Sequence, residues 1–189
     1  MAILLYVDDL LIAYEDAADT CTIRDSADST GSTHPKEAAH PSEIKARLCE
    51  KYQMKDLGVA TKFIGMEITY DNSTGAISLG QKAYIDEVAR RFGLDNAKPA
   101  YTPMDQFVDL NNMKVEDQPF TSANDIRNYQ SMVGSIMFAA LGTRPDVSFA
   151  VGVLSRYNAH PLAMHVTAAK RVIRYLKTTS HLLSPYGCE

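Results

Sequence analysis

Two adjacent carboxylates, Asp8 and Asp9, stand between strongly apolar runs in the stretch ILLYVDDLLIAY, residues 3–14. Charge of this kind is costly to bury without a partner, so the pair needs a reason. The plainest is that both are turn residues, a role Asp favours. A second is a nucleotide-hydrolysing site in which acids at the end of a hydrophobic strand hold Mg²⁺. That chemistry needs a phosphate loop, G-x-x-x-x-G-K-[ST], and no glycine in the chain is followed by Lys-Ser or Lys-Thr. A third is nucleotidyl transfer, with two Mg²⁺ ions about 3.5–4 Å apart on the attacking 3′-oxygen and the leaving pyrophosphate oxygen. Mg²⁺ takes oxygen ligands, commonly one or two carboxylates together with substrate phosphates. Neighbouring side chains on a regular strand point to opposite faces. At a tight turn that alternation breaks, and a hairpin tip can present both acids to one site held rigid by its strands.

The elements that must position such a site follow from the apolar pattern. Ala2–Val7 and Leu10–Tyr14 read as two short strands, a hairpin with the acids at its turn. From about residue 14 to 41 the chain is polar, rich in small residues and nearly free of large hydrophobes, which predicts a flexible loop or insertion. Ser42 is placed to cap a helix running to about Gln53, with Ile44, Leu48 and Tyr52 on one face. TKFIGMEITY (61–70) reads as a strand, DNSTG as a turn and AISL as the return strand. QKAYIDEVARRFG (81–93) is an amphipathic helix with Ile85, Val88, Ala89 and Phe92 in one stripe and Gly93 at its end. Residues 94–124, with Pro99, Pro103 and Pro119, read as loop.

The last third is predicted helical, over Asn124–Leu141, Asp146–Tyr157 and Leu162–Lys177, with GTRPD and NAHP between the helices. Gln130, Gly134 and Phe138 recur in steps of four and so share one helix face. The glycine leaves a notch there, flanked by an apolar and a hydrogen-bonding surface; without other information it reads equally as a close helix crossing. On the final helix Val166, Ala169, Val172, Ile173 and Leu176 face inward. Lys170, Arg171, Arg174 and Lys177 fall on the other side, either as a solvated face or as a stripe that contacts phosphates.

Composition narrows the possibilities further. The 189 residues are 46% hydrophobic and 22% charged, enough apolar material for a core. Residues 1–60 carry 6 Lys+Arg against 11 Asp+Glu, whereas 125–189 carry 7 against 3. A basic last third on a chain of net charge −4 hints at a polyanion partner. Cys21, Cys49 and Cys188 are few, odd in number and far apart, which implies a reducing, intracellular setting, cytoplasmic or nuclear, and no disulfide partner. The histidines form no zinc pattern, and His160 and His165 read as helix-start or packing residues. MAILLYV lacks the basic start of a signal peptide, and VGSIMFAALG falls short of the ~18 residues that span a bilayer, so no membrane partner is expected. The oligomeric state is left open.

YVDD between apolar runs also resembles the palm-domain active-site hairpin of reverse transcriptases. YQMKDLG, KFIGMEI, YIDEVARRFGL…PAYTPMD and YQSMVGSIMFAALGTRPDVSFAVGVLSRY…AAKRVIRYLK resemble, in order and spacing, the copia-type group of LTR retrotransposons. The resemblance covers residues 1–14 and about 42–180. It implies an α+β fold: a small antiparallel palm β-sheet remnant with the YVDD hairpin over residues 1–80, then a mostly helical thumb/connection subdomain over 81–189. It implies RNA-directed DNA polymerisation by two-metal nucleotidyl transfer, with Mg²⁺ as cofactor and an RNA/DNA primer–template and dNTP as partners. Tyr6, Val7, Asp8 and Asp9 match the catalytic hairpin, the two acids as metal ligands and Tyr6 and Val7 near the primer end. Lys55 falls where a general acid for the leaving pyrophosphate can be placed. Phe63, Ile64, Gly65 and Met66, in FIGMEI (63–68), resemble the primer-grip hairpin that positions the primer 3′ end, where Gly65 permits close backbone approach. Gln130, Gly134 and Phe138 match the thumb helix that tracks the minor groove.

The same family places a further metal-binding Asp and nucleotide-binding fingers upstream of the hairpin, and a linked RNase H domain beyond the helical part. Their motifs do not occur in these residues, so the chain taken alone is expected not to polymerise. Two other expectations stand beside this one: a non-catalytic nucleic-acid-binding remnant of a decayed element, and a coding sequence that continues upstream of Met1. Glu15–Pro41 is longer than the family's connection at that point and is expected to be an insertion. Palm strands without sheet neighbours would leave an open edge and poor solubility.

Overall fold

The computed structural model describes residues 2–6, 9–13, 41–52, 54–71, 73, 75–105, 110 and 122–186. They fall in two compact units, Met1–Ala60 and Thr61–Glu189.

In the first unit, β1 (Ala2–Tyr6) and β2 (Asp9–Ala13) pair antiparallel, from Ala2 opposite Ala13 to Tyr6 opposite Asp9. Val7 and Asp8, which link them, and the stretch 14–40 lie outside the described residues. Helix α1 (Pro41–Lys51) begins one residue before the predicted cap. Pro41 opens it, as proline's fixed φ favours at a first helical position, and Ser42 lies inside the first turn rather than at the cap. Ile44 and Leu48 are half-buried, whereas Tyr52 is exposed. Beyond α1 the Lys45 ammonium meets Asp56 at 3.1 Å. A hydrogen bond from the Gly58 amide, then one from Lys45, holds the exposed Asp56 carboxyl below its ordinary value.

The second unit is α+β. Its sheet runs in the order β3 (Lys62–Phe63), β4 (Met66–Tyr70), β5 (Ile77–Gly80), β6 (Ser184–Tyr186), every neighbour antiparallel. The single strand expected over 61–70 is therefore a hairpin folded at Ile64-Gly65. The turn after β4 closes as the sequence predicts: the Asp71 carboxylate accepts from the Ser73 amide and hydroxyl, and the Gly75 amide donates to the Asp71 carbonyl. Strand β6 was not legible in the sequence. Pro185 removes a ladder donor and is tolerated on an edge strand, and a Cβ on Gly80 would stand 2.7 Å from Leu183 Cδ2. The sequence division at residue 80 falls between β5 and α2, while the compact units part at residue 60.

Helices α2 (Lys82–Arg91), α3 (Ala123–Gly142), α4 (Ser148–Ser155) and α5 (Ala163–Thr178) form the core, with a 3₁₀ turn at Pro145–Val147 before α4. The predicted helix over 146–157 is thus a 3₁₀ turn followed by a shorter α-helix. Ile85 and Val88 of α2, Ile136 of α3, Leu154 of α4 and Ile173 of α5 meet in one cluster. Ser122 caps α3 through the Asn124 amide. Gly93, at φ 67°, ends α2 in the left-handed position the sequence predicts. On α5, Ala169, Val172, Ile173 and Leu176 are buried as expected, Val166 is half-buried, and His165 joins the inner face.

Candidate nucleic-acid interface

One face of α3 is an open surface with a legible pattern. This helix is long because its inner stripe (Tyr129, Met132, Val133, Ile136, Ala139) is continuously apolar and buried. Its outer stripe carries Gln130, Gly134 and Phe138, all exposed. A Cβ added to Gly134 meets no atom within 4 Å among the described residues, so the glycine does not serve a close helix crossing there. The Gln130 side-chain amide donates to the Asn158 carbonyl at 2.9 Å, which fixes its direction. The Phe138 ring packs against Tyr84 at 4.8 Å between centroids and remains 41% exposed. Sequence reasoning missed Met137 and Leu141 on this side; Leu141 is 83% exposed. The signal was present, since 134, 137 and 141 are spaced to share a face.

The turn between β3 and β4 is the second singular place. Ile64 has φ 50° and Gly65 φ 72°, with Phe63 opposite Met66 closing the hairpin. Two central residues at positive φ is the type I′ pattern, whose twist matches that of the flanking strands. Phe63, Ile64 and Met66 are half-buried and Gly65 is exposed.

The cationic side of α5 is partly engaged within its own unit. Arg171 donates to Thr102 Oγ1 at 2.9 Å and reaches Asp105 at 3.4 Å, and the Lys177 ammonium meets Asp95 at 3.0 Å. Arg174 is half-buried, and Lys170 is exposed. The stripe therefore braces the 94–105 segment as well as facing outward.

Of the hairpin residues, Val7 and Asp8 lie outside the described residues, while the backbones of Tyr6 and Asp9 face one another in the strand register. Lys55 is exposed on the segment after α1. Among the described residues no three His, Cys, Asp or Glu side chains stand close enough to hold a metal ion. Nor is any described helix long and apolar enough to cross a membrane.

GTRPD separates α3 from α4 as the sequence predicts, and it is also a clamp. Arg144, 2% exposed, grips Asp146 through Nε at 3.0 Å and Nη2 at 2.7 Å and donates to the Thr179 carbonyl and hydroxyl. The Tyr175 hydroxyl donates to the same carboxylate at 2.7 Å. Burial pushes the Asp146 carboxyl up, but the hydrogen bonds from Arg144 and Tyr175 outweigh it and hold the group below its ordinary value. Burial, then the bond to Asp146, pushes Tyr175 up. A buried guanidinium needs this bidentate partner. His165 is the helix-start residue the sequence predicts: its Nδ1 accepts from the Leu162 amide at 3.0 Å, and Nε2 meets the Leu110 carbonyl at 3.2 Å.

Comparison with known proteins gives this geometry its setting. Residues 34–106 match the reverse transcriptase (RNA-dependent DNA polymerase) family. Over 94% of its length the chain is 34% identical to the retrovirus-related Pol polyprotein from transposon TNT 1-94 of Nicotiana tabacum, of which it spans 12%. Over 97% it is 34% identical to the putative transposon Ty5-1 protein YCL074W of Saccharomyces cerevisiae, of which it spans 51%. Over 93% it is 30% identical to the Pol polyprotein from transposon RE1 of Arabidopsis thaliana, of which it spans 10%. No solved structure matches the chain. The chain is a reverse transcriptase segment of the retrotransposon Pol class. The matches fit the copia-type group that its motif string resembles, and the chain spans about half or less of these relatives.

Proposed function

We propose that the chain is the palm-hairpin and thumb part of an enzyme for RNA-directed DNA polymerisation, and that by itself it holds primer–template duplex without copying it. The family match supplies the reaction class. The single observation that carries the binding reading is Gly134, which sits mid-helix with open space above it. Glycine inside a helix costs about 0.5–1 kcal/mol relative to alanine, and no close neighbour among the described residues accounts for it. A shallow groove edge fits such a notch, with Phe138 against sugar and Gln130 offering a hydrogen bond. Minor-groove contact discriminates little between sequences, which suits general copying. Lys170, Arg171 and Arg174 add positive charge toward phosphates.

In the complete reaction the primer 3′-hydroxyl attacks the α-phosphate of a dNTP and pyrophosphate leaves. Asp8 and Asp9 are the residues proposed to hold Mg²⁺, which when bound supplies charge at the attacking and leaving oxygens. Lys55 is proposed to give a proton to pyrophosphate, and Phe63 to Met66 to hold the primer end. Asp8 and Asp9 alone do not fix two metals in register, so the isolated polypeptide is expected to be inactive.

Primer extension on poly(rA)–oligo(dT) with Mg²⁺ tests the catalytic half: no extension is expected, and extension overturns the inactivity. A salt titration of duplex binding tests the other half. Affinity should fall steeply with salt because phosphate contacts release counterions. No binding at low salt contradicts the interface.

A further inference from the structure

Among the described residues, no strand residue of the second unit belongs to the helical core cluster or to the partly buried hydrophobics packed against it. The sheet that carries the 63–66 turn is therefore not joined to the helices through that cluster. A polar contact stands at the junction instead. Gln81 follows Gly80, the last residue of β5, and precedes Lys82, the first of α2. Gly80 pairs with Glu67, the residue next to Met66 of the turn. The Gln81 side chain is 1% exposed, and its Oε1 accepts from the Thr143 hydroxyl at 2.8 Å, 62 positions away at the end of α3. The amide lies over Gly142, where an added Cβ would stand 2.8 Å from both Oε1 and Nε2. Nε2 has no hydrogen-bond partner among the described residues. A buried amide with an unmet donor is destabilising, and an apolar residue of similar volume would serve stability better. What the amide supplies is direction, since a hydrogen bond fixes one arrangement of the two groups it joins.

We infer that Gln81 is a positioning residue: its bond to Thr143 holds the sheet and helix α3 in one arrangement, so that the 63–66 turn and the Gln130, Gly134 and Phe138 face meet the same duplex. This rests on the reading under Proposed function and adds to it the residue that aligns the two surfaces. Gln81 touches no nucleic acid; it acts through the elements it joins. Surfaces held in register before binding lose less freedom when a ligand spans both.

The full chain is titrated with labelled RNA–DNA hybrids of increasing length at one salt concentration, and urea unfolding is measured on each variant. The parent's affinity should rise in a step of about tenfold or more at the length that reaches both surfaces. Thr143→Val removes the hydroxyl at nearly constant volume; the step should shrink to about twofold or less, with binding of the shortest hybrids unchanged. Thr143→Ser keeps the hydroxyl and should keep the step. Gln81→Ala combined with Gly142→Ala removes the amide and returns a methyl to its space, so the same loss is expected even where Thr143→Val fails to fold. A folded variant without the bond that keeps the step overturns the inference, as does a parent that binds hybrids of all lengths without a step. Equal weakening toward short and long hybrids shows a role in folding alone and also overturns it. A parent that binds no hybrid removes the reading under Proposed function, and this inference with it, before any variant is made.

Discussion

The two units differ in where their apolar residues go. In Thr61–Glu189 the hydrophobic residues of four helices close on one another, and Tyr129, Ile136, Leu154 and Ile173 are fully covered. Among the side chains described in Met1–Ala60, those of residues 11, 12, 42–52 and 54–60, none is buried, and Leu57 and Val59 are 79% and 74% exposed. Yet the sequence around the acid pair is as apolar as any in the helices. Local pattern therefore decides which elements form, while a core requires that several apolar faces converge. The helical unit contains its own convergence of faces. The side chains described in residues 42–60 do not.

This contrast can be broken most directly in the core. Ile136→Ala or Ile173→Ala should destabilise the chain by about 2–5 kcal/mol, read from the urea midpoint. A loss below about 1 kcal/mol would mean the helical core is not the stabilising centre. Next is the clamp. Arg144→Ala leaves Asp146 with Tyr175 alone and strips two bonds from Thr179, and should cost about 2–4 kcal/mol.

The pH dependence sharpens the same point. Because Asp146 is held below the ordinary aspartate value, its contribution is present above the unfolded value of about 3.9. It is lost as pH falls through the lower folded value, where the carboxylate takes a proton. Asp146→Asn should flatten the acid limb of the stability profile measured by thermal unfolding, and an unchanged limb would remove the clamp from it. His165→Ala, which frees the Leu162 amide and the Leu110 carbonyl, should cost about 1–2 kcal/mol. Smallest is Leu57→Ser, within about 0.5 kcal/mol of the parent; a larger loss would show that this segment is packed after all.

What was legible in the sequence follows the same division. Helix α2, helix α5 and the capping glycine at 93 were readable because period, cap and core face agree within one segment. Strand β6 was not, because its pairing with β5 joins residues more than 100 positions apart and SPY carries no strand signal. The Ile64-Gly65 turn was hidden in the residue pattern by continuous β-forming residues, where Ile stands in place of the usual Asn, and was implied only by the resemblance to the primer-grip hairpin. The Arg144 clamp was hidden because one of its partners, Thr179, lies 35 positions away at the end of α5. The three-residue face on α3 was legible from spacing alone, but only the structure separates a helix crossing from an open notch.

The open notch is the central claim, and Gly134→Leu tests it most directly. Leucine fills the space above α3, and in a helix interior it should stabilise the fold by up to about 1 kcal/mol. Hybrid binding should nevertheless weaken about tenfold or more, because the side chain occupies the groove edge's place. A variant that is more stable and binds as the parent does would contradict the interface on α3.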